Sequence, residues 1–304
     1  MAFIKDLYHD EIRDGWLVKS DMKKIWNRQL EIWAEVDRIC RKHDITYWAG
    51  YGTLLGAARH GGFIPWDEDI DLCMMRPDFN RFCDVVDSEL GDSFAVGLKR
   101  FSVLRISHEQ TTLLDLKNIL DENSNGLMIE IFPLDVAIDG TNEGFFATNA
   151  LNELMGTIYN FPAIAKHVQG GGKTVNDWNF IENLHAVADF DAQWKILNVY
   201  AQNSFEQSSA VFWIEDTVRD MRRPTFRKSW FHETIYLLFE TVELPAPKMF
   251  DEILTSYYGD WRTPVRDGQN RLGVIHSADI PWREFLQLVD VKKILDDFNA
   301  RNGG

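Results

Sequence analysis

The stretch Gly52–Leu72, which reads GTLLGAARHGGFIPWDEDIDL, decides the fold that the sequence predicts. A Gly52-Thr53 turn precedes a helix-forming run that stops at Gly61-Gly62, and Thr53 can cap that helix. A strand-like apolar run then follows directly after a group of acidic residues. Carboxylates at the start of a strand repel one another and usually need a compensating cation. The acidic residues of this group are Asp67, Glu68, Asp69 and Asp71.

The spacing of the acidic residues predicts a metal site. Residues i and i+2 of a strand point to one face, so Asp69 and Asp71 project together, and Asp67 joins them if the strand extends that far back. Mg²⁺ prefers one or two carboxylates together with substrate phosphates. We therefore expect Mg²⁺, or Mn²⁺ in its place, at these residues. An exposed acidic strand edge is the alternative that the spacing leaves open.

A third acid, Glu130, lies in the run Met128–Phe132 between strong strand formers. A neighbouring strand could bring this carboxylate to the same metal, which makes Asp69, Asp71 and Glu130 the candidate catalytic residues. From spacing alone, an unrelated strand glutamate is equally compatible with the sequence.

The Gly52-Thr53 turn predicts a phosphate site, since glycine lets the backbone approach closely and a helix N-terminus offers free N–H groups. Arg59 and His60 could contact phosphate oxygens or have structural roles, and an ordinary capped turn is the alternative for Gly52-Thr53. Arg105 could reach a nucleotide or form a salt bridge, and His276 could line the site or pack. These residues are the candidate ligand-binding set.

Composition restricts the class of partner. The chain has 304 residues and a formal net charge of −15, which argues against a nucleic acid polymer but not against a nucleotide held through a metal. Its three cysteines form no CxxC pair, which favours a reduced, cytoplasmic setting. No run has the length of a membrane span, so we expect a cytoplasmic protein, with a peripheral position at the inner membrane face as an alternative.

Periodicity predicts an α/β (α+β) fold in three segments. Residues 1–44 form a helical segment on the core, 45–140 a mixed α/β core, and 141–304 a mainly helical region. The predicted helices are 21–43, 54–59, 77–90, 144–168, 188–215 and 249–257, and the predicted strands are 45–49, 69–74, 94–98, 101–106, 111–116 and 127–132.

Together these residues resemble the LicD family, within the nucleotidyltransferase-fold superfamily that also includes fukutin-related protein. The resemblance is carried by the stretch Gly52–Leu72, by Glu130 within Ile129–Asp135, and by Leu254–Trp261 near the C-terminus. Thr53 stands where the superfamily usually has a smaller residue, and Glu130 stands where the family often has Asp.

The resemblance implies a nucleotidyltransferase fold, with a mixed β-sheet flanked by helices and with residues 141–304 completing an acceptor site. It also implies a Mg²⁺-dependent transferase that moves a phospho-alcohol, such as phosphocholine, from a CDP-alcohol donor to a hydroxyl of a glycan or lipid-linked glycan and releases CMP. Two alternatives stay open. One is transfer of an NMP from an NTP to a small molecule or protein, and the other is a non-catalytic nucleotide-binding protein.

Overall fold

The computed structural model of the protein describes residues 3–99, 102–115, 125–136, 208–213, 225–265 and 274–291, together with residues 293, 294, 297 and 298. The chain divides into two compact units, one formed by residues 1–132 and 230–304 and the other by residues 133–229. This grouping does not show which segments fold independently, so the segments 1–44, 45–140 and 141–304 stay predictions.

Helix α1 (Ser20–Lys42) buries the apolar stripe that the sequence predicts. Trp26, Leu30 and Val36 are fully buried, because residues three and four positions apart share one face of a helix. The indole Nε1 of Trp26 donates a hydrogen bond to the carbonyl oxygen of Asp67 at 2.8 Å. Helix α1 therefore supports the loop that carries the acidic group.

Helix α2 (Tyr51–His60) begins three residues before the predicted start and ends one residue after the predicted end. The backbone N–H of Gly50 donates to the carbonyl oxygen of Asp71 at 2.9 Å, which fixes the entry to the helix beside the acidic strand. Gly50, and not the predicted Thr53, is the N-cap residue. Gly61 ends the helix at a φ of 64°, a left-handed conformation that glycine adopts without steric cost.

The sheet of the first unit places strand β4 beside strand β8. The strands of this part follow the order β5-β6-β8-β4-β3, with antiparallel pairing of β5 with β6, β6 with β8, and β3 with β4. Helices α2 and α3 contact β4, which confirms the predicted α/β (α+β) class. The bounds are β3 Trp48–Ala49, β4 Asp71–Met75, α3 Arg76–Glu89, β5 Phe94–Lys99, β6 Leu104–His108 and β8 Met128–Asp135.

The described part of the first unit also contains two hairpins, a further strand pair and two helices. Strand β7, which covers most of the predicted strand 111–116, pairs with β13 in a separate two-stranded sheet. Helix α4 confirms the helix predicted at 249–257. The bounds are β1 Glu11–Arg13, β2 Trp16–Val18, β7 Thr112–Asp115, β11 Thr234–Phe239, β12 Val242–Pro247, α4 Phe250–Tyr258, β13 Val274–Ser277 and α5 Trp282–Leu288, with β1–β2 and β11–β12 as the hairpins.

In the second unit, one predicted helix is wrong where the structure describes it. Ala210–Trp213 is strand β9, although the sequence analysis assigns 188–215 to a helix. Three consecutive apolar side chains of this strand are buried, which suits a β-prone run better than one face of a helix. Strand β9 pairs with the end of β8 and with β10 (Phe226–Arg227).

The sequence analysis predicts a mainly helical region at residues 141–304. The part of it that the structure describes is mixed and holds five strands and two α-helices. The predicted helix 144–168 and residues 188–207 lie outside the described residues. Among the described helices, none combines the length and the apolar character needed to cross a membrane.

Candidate active site

Asp69 and Asp71 flank a buried residue at the start of strand β4. Asp71 is the first residue of the strand, and Asp69 lies two positions before it. Ile70 and Leu72 are fully buried, whereas both aspartates are only half-buried. This alternation is the one that the sequence predicts, and it keeps both carboxylates out of the core.

Strand β8 carries Glu130 and places it next to this pair of aspartates. Its backbone N–H donates to the carbonyl oxygen of Ile70 at 3.2 Å. Glu130 is half-buried between the fully buried Ile129 and Ile131, as Asp71 is between its own neighbours. The structure therefore brings the backbone of the third predicted acid beside that of the first two.

Arg105 is bonded to the third acid itself. It is the cross-strand partner of Glu130, and its Nε donates to Glu130 Oε1 at 2.7 Å. Both side chains keep a quarter to a third of their surface exposed. An ion pair this accessible contributes little stability, about 0.2–1 kcal/mol. Its main consequence is orientation, because one carboxylate oxygen of Glu130 is occupied by the guanidinium.

The described residues hold no group of three or more His, Cys, Asp or Glu side chains arranged to bind a metal ion. One oxygen of Glu130 is instead bonded to Arg105. Mg²⁺ does not require three protein ligands, because it often keeps water and takes one or two carboxylates plus substrate phosphates. The hard oxygen donors of Asp69 and Asp71 fit that chemistry, and metal binding stays a prediction.

Gly52 allows an acid to approach the first turn of helix α2. A Cβ atom at this position would lie 2.8 Å from Oδ2 of Asp67, closer than real Cβ contacts allow. The backbone of Asp67 is fixed by its N–H, which donates to the carbonyl oxygen of Ile64 at 2.9 Å, and by the bond from Trp26. A carboxylate thus lies against the turn where the sequence predicts a phosphate, so a bare phosphate there meets repulsion.

Thr53 links helix α2 to the acidic strand. Its side chain is buried, and its Oγ1 accepts a hydrogen bond from the backbone N–H of Asp71 at 2.8 Å. The hydroxyl hydrogen can still donate to another group. The structure assigns Thr53 a positioning contact, and its predicted contact with phosphate stays a prediction.

Arg59 and His60 are bonded to other parts of the protein. Arg59 donates from Nε to Nε2 of His60 at 2.9 Å and from a terminal nitrogen to the carbonyl oxygen of Trp261 at 2.8 Å. Because His60 Nε2 accepts, the imidazole is neutral, and its Nδ1–H donates to Asp14 Oδ2 at 2.7 Å. Burial lowers the pKa of His60, although Asp14 acts in the opposite direction.

Burial also lowers the pKa of the Arg59 guanidinium, against the effects of Asp14 and Tyr258. The pair therefore secures the end of helix α2, and its predicted contact with phosphate stays a prediction. His276 lies in strand β13, beside Leu113 of β7, with an exposed side chain. This position does not test the predicted role of His276 in lining the site, which also stays a prediction.

The sequence analysis missed a row of aromatic rings beside the Gly52-Thr53 turn. The ring of Tyr51 contacts Phe132 and Tyr257, and Tyr257 contacts Tyr258. Two of these tyrosines lie in the C-terminal motif Leu254–Trp261, which the sequence analysis singles out without a role. That motif was the signal that could have identified them.

Comparison with known proteins matches the region around the acids to a protein family. Residues 44–155 match the family described as LicD/FKTN/FKRP, nucleotidyltransferase domain. This match includes the turn, the acidic strand and Glu130, and it confirms the predicted resemblance.

Individual relatives extend the match over most of the chain. The chain is 25% identical to the lipopolysaccharide cholinephosphotransferase LicD of Haemophilus influenzae over 256 residues, which cover 82% of this chain and 96% of that protein. It is 45% identical to the ribitol 5-phosphate transferase FKRP of Homo sapiens over 47 residues, which cover 16% of this chain and 10% of that protein. The FKRP of Mus musculus matches to the same extent.

Proposed function

We propose that this protein, a member of the LicD family, is a Mg²⁺-dependent transferase that moves a phospho-alcohol from a CDP-activated donor to a sugar hydroxyl of a glycan. One observation carries the proposal. Strand β8 brings Glu130 beside Asp69 and Asp71 within the region that matches the family domain. The likeness to a cholinephosphotransferase over 96% of its length supports phosphocholine as the transferred group.

In this proposal Asp69 and Asp71 hold the metal, which when bound neutralises charge on the donor diphosphate. The bond from Asp71 N–H to Thr53 keeps the acidic strand and the turn in register. Gly52 leaves room for the Asp67 carboxylate near them, where it can assist as a further ligand. Phosphoryl transfer needs mainly positioning and charge stabilisation, so these contacts suffice without a nucleophilic side chain.

Glu130 accepts the proton of the attacking hydroxyl or adds an oxygen to the metal shell. The acceptor oxygen forms a bond to the phosphorus of the phospho-alcohol, and the phosphoanhydride bond to CMP breaks. Because Arg105 bonds Oε1 of Glu130, Oε2 is the oxygen outside this bond and would accept the proton or add to the metal shell. Arg105 is thus a positioning residue for Glu130 in this scheme.

The second candidate reaction is transfer of an NMP from an NTP, which the same acids could support. A release assay separates the two reactions. The protein is incubated with Mg²⁺, a panel of saccharides and one of CDP-choline, CDP-ribitol, CDP-glycerol or an NTP. CMP release from a CDP-alcohol is the expected result, whereas pyrophosphate release from an NTP would favour the second reaction.

Release of neither product by the parent protein, with nucleotide binding retained, would overturn both reactions and favour a nucleotide-binding protein. The Asp69→Asn variant is the control, because any product that it still releases at the parent rate comes from another activity.

A further inference from the structure

Arg13 of strand β1 is the centre of a bonded network in the first unit. Its guanidinium donates two hydrogen bonds to the carboxylate of Glu240, one of them from Nη2 to Oε2 at 2.9 Å, and a further one to Glu11. Glu11 also accepts a hydrogen bond at 3.0 Å from Lys23, which is fully buried on helix α1. The hairpin β1–β2 is thus fixed both to α1 and to Glu240, which lies at the turn of the hairpin β11–β12.

Glu240 holds the beginning of the segment 61–70, here called the acidic loop. Its backbone N–H donates to the carbonyl oxygen of Gly61 at 2.8 Å, and its carboxylate accepts from the N–H of Phe63 at 3.1 Å. A Cβ atom at Gly62 would overlap this carboxylate, so glycine allows the close approach. The side chain of Glu240 is only 6% exposed, and a carboxylate this buried requires a partner such as Arg13.

Trp26 of helix α1 holds the acidic loop farther along, at Asp67. Its indole Nε1 donates to the carbonyl oxygen of Asp67 at 2.8 Å, and its ring stacks on Phe63 with 4.8 Å between centroids. The guanidinium of Arg13 lies over the same indole, 5.0 Å from the ring centroid. Arg13 therefore joins the two attachments of the loop, because it bonds Glu240 and contacts the face of Trp26.

The pair of Arg13 with Glu240 is better suited to fixing geometry than to adding stability. The cost of removing a largely buried ion pair from water offsets much of its attraction, so such pairs contribute little net free energy. A planar guanidinium that bonds both oxygens of a carboxylate does fix the orientation of the two groups. The acidic loop needs such a restraint, because its carboxylates repel one another when no cation lies between them.

We propose that Arg13 is a positioning residue for Asp67, so that the N-terminal hairpin β1–β2 sets the affinity of the active site for its metal ion. This inference rests on the proposed function, since it concerns the metal site of that reaction. The hairpin lies outside residues 44–155, which match the family domain. Loss of Arg13 would loosen Glu240 and Trp26 together, and the Asp67 carboxylate would then leave its place against Gly52.

The test uses the double variant Arg13→Met, Glu240→Gln. The two changes together leave the net charge unaltered, and glutamine keeps an oxygen that can accept from the N–H of Phe63, so we expect the fold to survive. Calorimetric titration with Mn²⁺ should show binding about tenfold weaker than in the parent protein, since residues that orient metal ligands from outside the shell have effects of this size.

Hydrogen exchange in the metal-free protein reports the position of the loop without metal or turnover. The amide of Asp67 donates to the carbonyl oxygen of Ile64, not to Glu240, so its exchange reports the loop rather than the substituted group. In the double variant this amide should exchange about tenfold faster than in the parent protein, because the loop opens more often.

Arg38→Met, Glu35→Gln is the matched control. Arg38 also donates two bonds to one carboxylate, at 2.9 and 2.8 Å, and Glu35 also accepts from a backbone N–H, that of Gly91, at 2.8 Å. This pair lies about three turns of helix α1 away from Trp26. Mn²⁺ affinity and the exchange of the Asp67 amide should both keep their parent values in this control.

A second variant, Arg13→Lys, keeps a charge beside Glu240 but lacks the planar fork, so it should show both changes at about threefold. It decides the question by the same criteria if the double variant does not fold. Parent-like Mn²⁺ binding or parent-like exchange at Asp67 would overturn the positioning role, as would equal changes in the control. A parent protein that binds no Mn²⁺ would instead overturn the metal role in the proposed function, and this inference with it.

Discussion

The acidic and basic ends of the same signature stretch are bonded in different ways. At the acidic end, Asp69 and Asp71 are half-buried beside strand β8. At the basic end, Arg59 and His60 bond to each other, to Trp261 and to Asp14. Both ends lie in the stretch that carries the resemblance to the family, so the comparison teaches that a motif can combine chemistry with architecture.

The largest effect is expected at the acidic end. Asp71→Asn should lower CMP release at least about a thousandfold, because it removes a carboxylate charge that holds the metal, and the metal in turn neutralises charge on the donor diphosphate. The fold should survive, since Thr53 bonds the backbone N–H and not the carboxylate of residue 71. Without metal, the melting temperature should stay equal or rise as one repelling charge is lost.

Asp92→Asn is the matched control for this variant, because it makes the same change at an exposed aspartate. Activity and thermal melting in EDTA are measured on both proteins. Substantial activity in Asp71→Asn would remove that residue from the metal role and weaken the contrast between the two ends.

The next effect concerns Glu130. Glu130→Gln keeps an oxygen that can accept from Arg105 but removes the charge, so the cross-strand contact should persist. If Glu130 is the general base, single-turnover rates should fall by roughly 10²–10⁴-fold with nearly unchanged CDP binding. If it is a metal ligand, CDP binding and Mg²⁺ dependence should weaken together, and we expect this metal effect to be the larger one.

Glu233→Gln provides the matched control, since Glu233 forms an exposed ion pair with Lys248 on the surface. Binding and rate are compared between the two variants. If neither quantity changes in Glu130→Gln, the third acid is an ordinary strand residue and the site has two acids.

A smaller effect tests the basic end directly. CDP should bind at least about tenfold more weakly without Mg²⁺, since the net charge of −15 and the Asp67 carboxylate repel a bare diphosphate. Calorimetry with and without Mg²⁺ measures this difference, which should disappear in the Asp69→Asn, Asp71→Asn double variant. Equal affinities in the parent protein would show that donors such as Arg59 and His60 carry the phosphates.

Local sequence patterns were sufficient to predict much of the fold. The stripe of α1, the alternation around Ile70 and the end of α2 at Gly61 each depend on residues a few positions apart. Such features follow from helix and strand geometry and from the conformational freedom of glycine. The region that matches the family domain was identified for the same reason, since the longest stretch of its signature, Gly52–Leu72, is contiguous.

The partners in most contacts between distant segments could not be predicted. The pairing of β7 with β13, the bond from Arg105 to Glu130 and the bond from His60 to Asp14 each join segments far apart in the chain. The capping role of Gly50 depends on the bond from its backbone N–H to the carbonyl oxygen of Asp71 in β4, and local sequence propensities do not predict such a contact. The strained φ of Tyr51 is likewise fixed by the surrounding structure.

The smallest expected effect concerns His60 and the pH dependence of stability. Burial lowers the pKa of His60 in the folded protein below its ordinary value of 6.5, so the unfolded chain binds more protons between the two values. The free energy of unfolding therefore falls as pH drops through this window. Protonation would also put a charge on Nε2 that opposes the bond from Arg59.

His60→Asn keeps a donor for Asp14 but cannot take the proton, so its melting temperature should fall less between pH 7.5 and pH 5.5 than that of the parent. About 1 kcal/mol moves the melting temperature of a large domain by roughly 2–4 °C, so even a small linkage is measurable. His232→Asn, at an exposed histidine, is the control. If His60→Asn keeps the pH dependence of the parent, the imidazole of His60 is not the group whose protonation opposes folding. The bonds of His60 to Arg59 and Asp14 would then not account for the pH dependence of stability.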